Sequence, residues 1–543
     1  MRRSIRTFFI LLIIAGLGFF IKNHSAFIFP SPVPVVAQTG STDWPQLAHD
    51  AQHTGRTSIG VAPPYNLKWA WFDDAHQVNN FVSAPGKNLT DPFGSNFVAQ
   101  VVFADSIQPI IAEGKVFVGD MDGMFYALDA LSGTMKWKFP TGGPILATAA
   151  YDSGVVVAVS LNGVIYGIRA SDGQKIWDYP TGAGITAAPA IQNGTVYVGS
   201  RDGKLYALEI STGNLKWAYT NRAYPNDINH YLSQAPIMTP PAVSADGLTV
   251  VFGAENMYIY ALNTSNGTER WNPKQLNGQS YLNSWPVIIQ DKILIYTVSS
   301  FIGAEEISTP MEDLLKSLPN GVSWSQEKQA VIDMLTQNPD QKILYVLDIT
   351  TGQEPYQVAM GRVTGNNHPP FPFTLDHNNQ PITYWRSRNS TLFSGGTFGS
   401  LFCPDVSRID INTGDRIKYS FSTPISFCPE LDNGFMLTTA GNYMYMQNSF
   451  RGIHVVNLSN ATQNWVTHTD AISDCANWRT WGASIIYIGN DNATDSCAIP
   501  PLTPSKYSGA GGLSGISVAT INGVTMFYST EPLNFIGAFE HKQ

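Results

Sequence analysis

The stretch Gly114-Lys-Val-Phe-Val-Gly-Asp-Met-Asp-Gly-Met-Phe-Tyr-Ala-Leu-Asp-Ala-Leu-Ser-Gly-Thr-Met-Lys-Trp137 decides the fold, because it recurs as Gly154 to Trp177 and again as Gly194 to Trp217. Glycines at 114, 154 and 194 and tryptophans at 137, 177 and 217 set a period of 40 residues in both series. A fixed period of that size marks a repeat architecture. Within each unit a β-rich run (Val155 to Ser160, Thr195 to Ser200) meets a two-residue turn, Asn162-Gly163 or Asp202-Gly203. A second run follows (Val164 to Arg169, Lys204 to Glu209), then Ser-Asp-Gly or Ser-Thr-Gly, then a short strand holding the Trp. Asn-Gly and Asp-Gly supply the positive φ angles that tight hairpins need, so the strands are antiparallel. With the preceding run, such as Ile185 to Gln192, each unit has four strands.

Four-stranded antiparallel units repeated radially make a β-propeller, whose closed ring protects most sheet edges. Degenerate copies continue the count: Tyr258 to Asn263 with Asn266-Gly267 and Trp271, then Leu344 to Asp348 with Thr351-Gly352. Further copies are Arg408 to Ile411 with Thr413-Gly414 and Tyr419, and Ile453 to Asn457 with Trp465. The C-terminal runs Gly515 to Ile521, Val524 to Ser529 and Phe535 to Phe539 make three strands, and Leu67-Lys-Trp69-Ala-Trp71 has the form of a missing outermost strand. The prediction is an all-β, eight-bladed propeller whose ring is closed by N- and C-terminal strands.

Tyr-Ala-Leu-Asp, then Ser/Thr-Gly, then Trp at fixed spacing resembles the repeat of the pyrroloquinoline quinone (PQQ) type propeller superfamily. Asp43-Trp-Pro-Gln-Leu-Ala-His-Asp50 with His53-Thr-Gly-Arg56 resembles its N-terminal motif. The resemblance covers roughly residues 42 to 543 and is strongest in the first three repeats. It implies the propeller fold. It does not imply one activity, since the superfamily holds quinoprotein alcohol dehydrogenases and also non-catalytic members, such as the propeller lipoprotein of the outer-membrane barrel assembly machinery. Trp69, Trp137, Trp177, Trp217, Trp271 and Trp465 are expected to pack between neighbouring blades, where a large aromatic buries much area. The dehydrogenases of the superfamily use PQQ with Ca²⁺ held by carboxylate and amide oxygens, an Asp base, a stacking Trp and often a disulfide of adjacent cysteines. This sequence has no Cys-Cys pair and no segment that aligns with the catalytic Asp or the calcium ligands.

The 543 residues are 43% hydrophobic, 12% aromatic and only 13% charged, with 47 Gly and 34 Pro, which excludes a disordered or coiled-coil chain. A net charge of −9 argues against nucleic acid, whose phosphates call for a basic face. Arg2, Arg3 and Arg6 precede an apolar run from Phe8 to Ile21, shorter than the roughly 20 residues of a spanning helix. Val35-Val36-Ala37 fits a signal peptidase, so residues 1–37 read as a signal peptide or an N-terminal anchor, and 38–543 as a single propeller. The expected location is secreted or extracytoplasmic, in the periplasm or at the cell surface, with membrane contact only if the N-terminal segment is retained. In an oxidising compartment Cys403, Cys428, Cys475 and Cys497 are expected to form disulfides; sequence order favours 403 with 428 and 475 with 497, and three connectivities stay open.

Measured against the period, extra residues lie in Tyr219 to Gln234, Trp271 to Ser284, Ala359 to Phe373 and Val466 to Trp481, links between an outer strand and the next inner one. A further insertion, near 300–341, lies between second and third strands and has helical spacing over Met311 to Ser317 and Glu327 to Thr336. Both kinds of link open on the same face of a propeller, and loops on a rigid scaffold carry function. The candidate binding residues on that face are His230, Tyr231, His368, Trp385, Arg386, Arg388, His468, Asp470, Asp474, Trp478, Arg479 and Trp481. Aromatic and Arg side chains around a funnel suit a protein, peptide or glycan ligand. The expected function is therefore that of a monomeric binding or scaffold protein, with no catalytic residue, metal or cofactor assigned. The alternative is a dehydrogenase dependent on PQQ and Ca²⁺ that oxidises alcohols or sugars. No Gly-x-Ser-x-Gly, His-Glu-x-x-His or P-loop points to another enzyme class.

Overall fold

A computed structural model describes residues 43–63, 65–72, 107–224, 234–281, 284–297, 310–361, 373–376, 378–385, 392–394, 400–402, 405–418, 437–448, 452–459, 463–466, 515–531 and 535–541. They form eight antiparallel blades in a ring, as the repeat predicts. Blade 1 holds Ile110–Ala112, Lys115–Gly119, Met124–Asp129 and Met135–Pro140, from the axis outward. Blades 2 to 7 occupy 150–180, 190–220, 242–275, 287–348, 374–418 and 437–466. In blade 8, Ile516–Ile521, Val524–Glu531 and Phe535–His541 take Tyr65–Phe72 as the outermost strand. The two chain ends thus close the ring. Blade 5 has three paired strands among the described residues, with a single bridge from Lys342 to Gly361 beyond them.

Turn chemistry explains the repeat. Asp129, at the end of a third strand, accepts hydrogen bonds from the Leu131 and Ser132 amides and from Ser132 Oγ, which forces the chain round into the outer strand. Asp348 does the same with Thr350 and Thr351. The outer strands of blades 1 to 3 each carry a register shift just before or at the Trp. Such bulges blunt an exposed sheet edge.

The tryptophans join blade to blade. Trp69, Trp137, Trp177, Trp217 and Trp271 donate from Nε1 to the carbonyls of Ala130, Ala170, Ile210, Thr264 and Ile349 on the following blade, at 2.7–3.0 Å. Trp69 makes the joint between blade 8 and blade 1. Each indole lies on the glycine of the Ser/Thr-Gly or equivalent turn: a Cβ added to Gly173 would come within 2.7 Å of Trp137, and its φ of +76° is itself a glycine conformation. In blade 5, where the sequence shows no such Trp, Tyr356 takes the place and donates to the Ile411 carbonyl above Gly414. Trp465 lies in the outer strand of blade 7, Gln463–Val466, opposite His454; its side chain is outside the described residues.

Between the second and third strands of blade 5 stand α1, Pro310–Ser317, and α2, Trp324–Gln337. Ser323 and Gln326 form a capping box at the start of α2. Val331 and Leu335, one helical turn apart, bury their side chains with Met311 and Leu315 of α1 in the cluster that holds Ile409 and Ile411 of blade 6.

The segment 43–57 lies on the ring axis. Trp44 exchanges both backbone bonds with Ile111 of blade 1, and the Pro45 carbonyl accepts from Tyr151 of blade 2. Gln46 clasps Ile191 of blade 3 with its side-chain amide, at 2.9 and 3.3 Å. The carbonyls of Ala51, Gln52, Thr54 and Gly55 accept in turn from Val243, Ile288, Leu375 and Thr439, the inner strands of blades 4 to 7. Blade 8 is reached through Gln108, which accepts from the Ala48 amide and donates to the Ile516 carbonyl. These residues pair inner-strand groups that would otherwise face the bore unbonded.

Candidate functional site

In every four-stranded blade the links from first to second strand and from third to fourth open on one face, and the remaining links open on the other. On the first face the chain turns tightly, as at Gly114, Gly154, Gly194 and Gly523. The second face carries the long links: Thr220 to Ala242, Tyr296 to Leu344, Gly361 to Thr374, Trp385 to Asp405, Lys418 to Leu437 and Val466 to Ile516. The link from Phe72 to Ile110 belongs with them, and the period could not reveal it because it precedes the first full repeat.

The rim of this face is rigid in blades 1 to 4. Asp120, Asn162, Asp202 and Asn256, in the turns between second and third strands, hydrogen bond to the hydroxyls of Tyr126, Tyr166, Tyr206 and Tyr260 at 2.6–3.2 Å. Asp202 also accepts from the Gly182 amide at 2.8 Å, and Asn162 donates to the Thr141 carbonyl at 2.6 Å. The turns of blades 2 and 3 are thereby tied to the link leaving the preceding blade. Burial and the Asp202 carboxylate push the Tyr206 hydroxyl well above its ordinary range, so it stays a donor.

Next to these polar anchors sit Met121, Leu161, Arg201 and Glu255, one from each turn. The Leu161, Arg201 and Glu255 amides donate to the Pro144, Gly184 and Pro236 carbonyls, which places the three alike around the face. Glu255 is the most constrained. Ser280 Oγ donates to it at 2.9 Å and the Tyr281 amide at 3.4 Å, while burial raises its carboxyl above the usual range against the pull of Arg201. Beside it the Tyr281 hydroxyl is fully buried with no partner among the described residues. A half-buried carboxylate with two donors is a ready acceptor for an ammonium, amide or hydroxyl group of a ligand.

Trp285 lies against the axial segment. Its indole packs in the cluster holding Leu47, Ala188 and Phe373 and meets His53 edge-on at 6.2 Å. A quinone held against Ca²⁺ needs an open aromatic face and several converging oxygen ligands. Trp285 is only 4% exposed, and among the described residues no three His, Cys, Asp or Glu side chains converge on one point. The described residues by themselves do not fit that pair.

Of the candidate binding residues, Trp385 ends the strand Pro381–Trp385 on the long-link face, with its side chain undescribed. His230, Tyr231, His368, Arg386, Arg388, His468, Asp470, Asp474, Trp478, Arg479 and Trp481 lie outside the described residues, as do Cys403, Cys428, Cys475 and Cys497. Arg201, Glu255 and Gln108 escaped the sequence reading. Arg201 and Glu255 share a turn position with Met121 and Leu161, but no common residue type marks it.

The family model described as outer membrane protein assembly factor BamB matches residues 140–358, from the end of blade 1 into the link after blade 5. The chain is an eight-bladed β-propeller, and over those residues its repeat is PQQ-like. No curated protein matches its sequence. The quinohemoprotein alcohol dehydrogenase of Comamonas testosteroni is similar to this propeller with a TM-score of 0.51 at 12% identity, over 92% of this chain and 81% of that one. The quinohemoprotein alcohol dehydrogenase ADHIIG of Pseudomonas putida HK5 gives 0.51 at 11%, over 92% and 80%. BamB from Moraxella catarrhalis gives 0.46 at 13%, over 82% and 98%. At such identities the likeness is one of fold. Among the described residues no helix is long and apolar enough to cross a membrane.

Proposed function

We propose that this PQQ-like propeller is an exported binding or scaffold protein that holds a protein, peptide or glycan ligand on its long-link face. The observation that carries the reading is the asymmetry of the links: every long connection opens on the face bearing Arg201 and Glu255, and the opposite face is closed by short turns. The bore between the faces is occupied by residues 43–57, so a ligand meets the rim and its loops rather than a through-channel. Export follows from the basic and apolar N-terminal segment, Arg2 to Ile21. The chain acts as a monomer that presents one face.

The test places a photo-crosslinking residue at Met121 or Arg201 on the long-link face, and at Asn193 or Asp246 on the tight-turn face, in the producing cells. Adducts from the first pair alone support the reading; adducts from the second pair alone overturn it. In parallel the purified chain is assayed with PQQ, Ca²⁺, a dye acceptor and a panel of alcohols and sugars. Dye reduction that requires both additions replaces the scaffold reading with a quinoprotein dehydrogenase.

A further inference from the structure

The axial segment 43–57 is built differently from the blades it ties together. Ala48, His49 and His53 hold φ of 50°, 79° and 61°, left-handed values unusual for residues other than glycine. The Gly55 amide donates to the Ala48 carbonyl and makes the stretch a closed loop. Asp50 accepts from the Gln52 and Thr54 amides, from Thr54 Oγ1 and from His49 Nδ1, so its charge is satisfied within the loop. Leu47, Ala48 and Ala51 are buried, while His49 and Asp50 remain about one-quarter exposed.

His53 is the buried ionisable group of this loop. Its Nδ1 lies 2.9 Å from the Pro286 carbonyl, which accepts from it, and its ring meets the edge of Trp285. Asp50 faces it from its own loop, and Trp285 and Pro286, brought by blade 5, carry no charge. Burial outweighs both attractive influences and lowers the imidazole to about 4 from its ordinary 6.5. In a loop withdrawn into water the same imidazole titrates at its ordinary value.

We propose that the axial loop is a proton-operated seal of the bore: protonation of His53 favours a state in which residues 43–57 leave the axis while the eight blades stay assembled. The amides of Val243, Ile288, Leu375 and Thr439 report on the seal, because each is bonded to the loop and not to its own blade. The amides of Ala170 and Ile210 report on the blades, since they bond within blades 2 and 3 to Gly154 and Gly194. Each unit of separation between the closed and open imidazole is a factor of ten, and with the closed form itself half protonated at pH 4 the opening equilibrium rises by roughly 100-fold as pH falls from 7 to 4.

Hydrogen exchange followed by mass spectrometry on the full chain, corrected for intrinsic rates, tests this across pH 7 to 4. The expected result is a fall of protection at the four seal amides of up to two orders of magnitude with little change at Ala170 and Ile210. His53→Gln is expected to flatten that pH dependence and His49→Gln to leave it intact. Seal and blade amides losing protection together overturns the proposal, as does a pH dependence that survives His53→Gln and vanishes in His49→Gln. The wild-type titration decides alone should His53→Gln fail to fold.

Discussion

Trp177 Nε1 donates to the carbonyl of Ile210 at 2.7 Å, and the indole lies so close to Gly213 that a methyl group there would sit 2.6 Å from the ring. One residue of blade 2 thus meets both a hydrogen-bonding group and a gap left by a missing side chain on blade 3. Gly213→Ala therefore combines a steric clash with an unfavourable φ of +71°, and is expected to destabilise by about 3 kcal/mol. Gly194→Ala is the control: its φ is +69° but nothing lies within reach of a new Cβ, so about 1 kcal/mol is expected. Urea denaturation of the two variants checks the difference; equal losses would mean that the indole contact carries no energy.

Gln46→Ala leaves the Ile191 amide and carbonyl without their side-chain partners on the axis. Unpaired buried backbone groups cost ~1–3 kcal/mol each, so a loss of about 3 kcal/mol is expected, with calorimetry as the check.

Tyr356→Phe removes the bond to Ile411 but keeps the ring above Gly414. A loss of about 1 kcal/mol is expected, well below the 3 kcal/mol or more of Tyr356→Ala, which also empties the joint between blades 5 and 6.

Acid should weaken the fold through His53. The folded imidazole titrates at about 4 and the unfolded one at 6.5, so the unfolded chain binds the proton first. Stability is then unaffected above pH 6.5 and declines as pH falls towards 4, by about 3 kcal/mol in total from this group. His53→Gln is expected to remove that part of the slope in a series of urea titrations.

Glu255 has the opposite shift. Its folded carboxyl is raised, so its charged form costs stability at neutral pH and the cost disappears as pH falls through the folded value. Glu255→Gln is expected to raise Tm at pH 7, to leave it nearly unchanged at pH 4, and to weaken ligand crosslinking from the long-link face. A Tm that falls at pH 7 would show that the bonds from Ser280 and Tyr281 need the carboxylate.

The period carried most of this fold because each blade repeats one set of local solutions. Asp129 and Asp348 make their turns with residues two and three places on, and the Trp to Gly joint recurs at one spacing for Trp137 and Trp177. Tyr356 was hidden because α1 and α2 separate it from the preceding Trp271, and a Tyr can replace the indole N–H with its hydroxyl. The axial loop was visible as a motif at Trp44, Asp50 and His53, yet its partners lie from 60 to 384 positions away, beyond any local pattern. Glu255 became a candidate only once Ser280 and Tyr281 were seen to converge on it. Site residues drawn from different blades share no spacing that a linear reading can detect.

Contacts between neighbours alone would hold the eight blades in a ring without fixing how many there are. The loop 43–57 changes that by acting as a hub with a spoke to every blade. Each spoke leaves a particular step along one short stretch, by the Gln46 side chain for blade 3, through Gln108 for blade 8 and by a backbone group for the others, so the number of blades is counted from the centre. A ninth blade would have no spoke, and a missing one would strand a hydrogen-bonding group. Gain or loss of a repeat, the ordinary route by which such proteins diverge, is therefore closed to this chain unless the hub is rewritten at the same time.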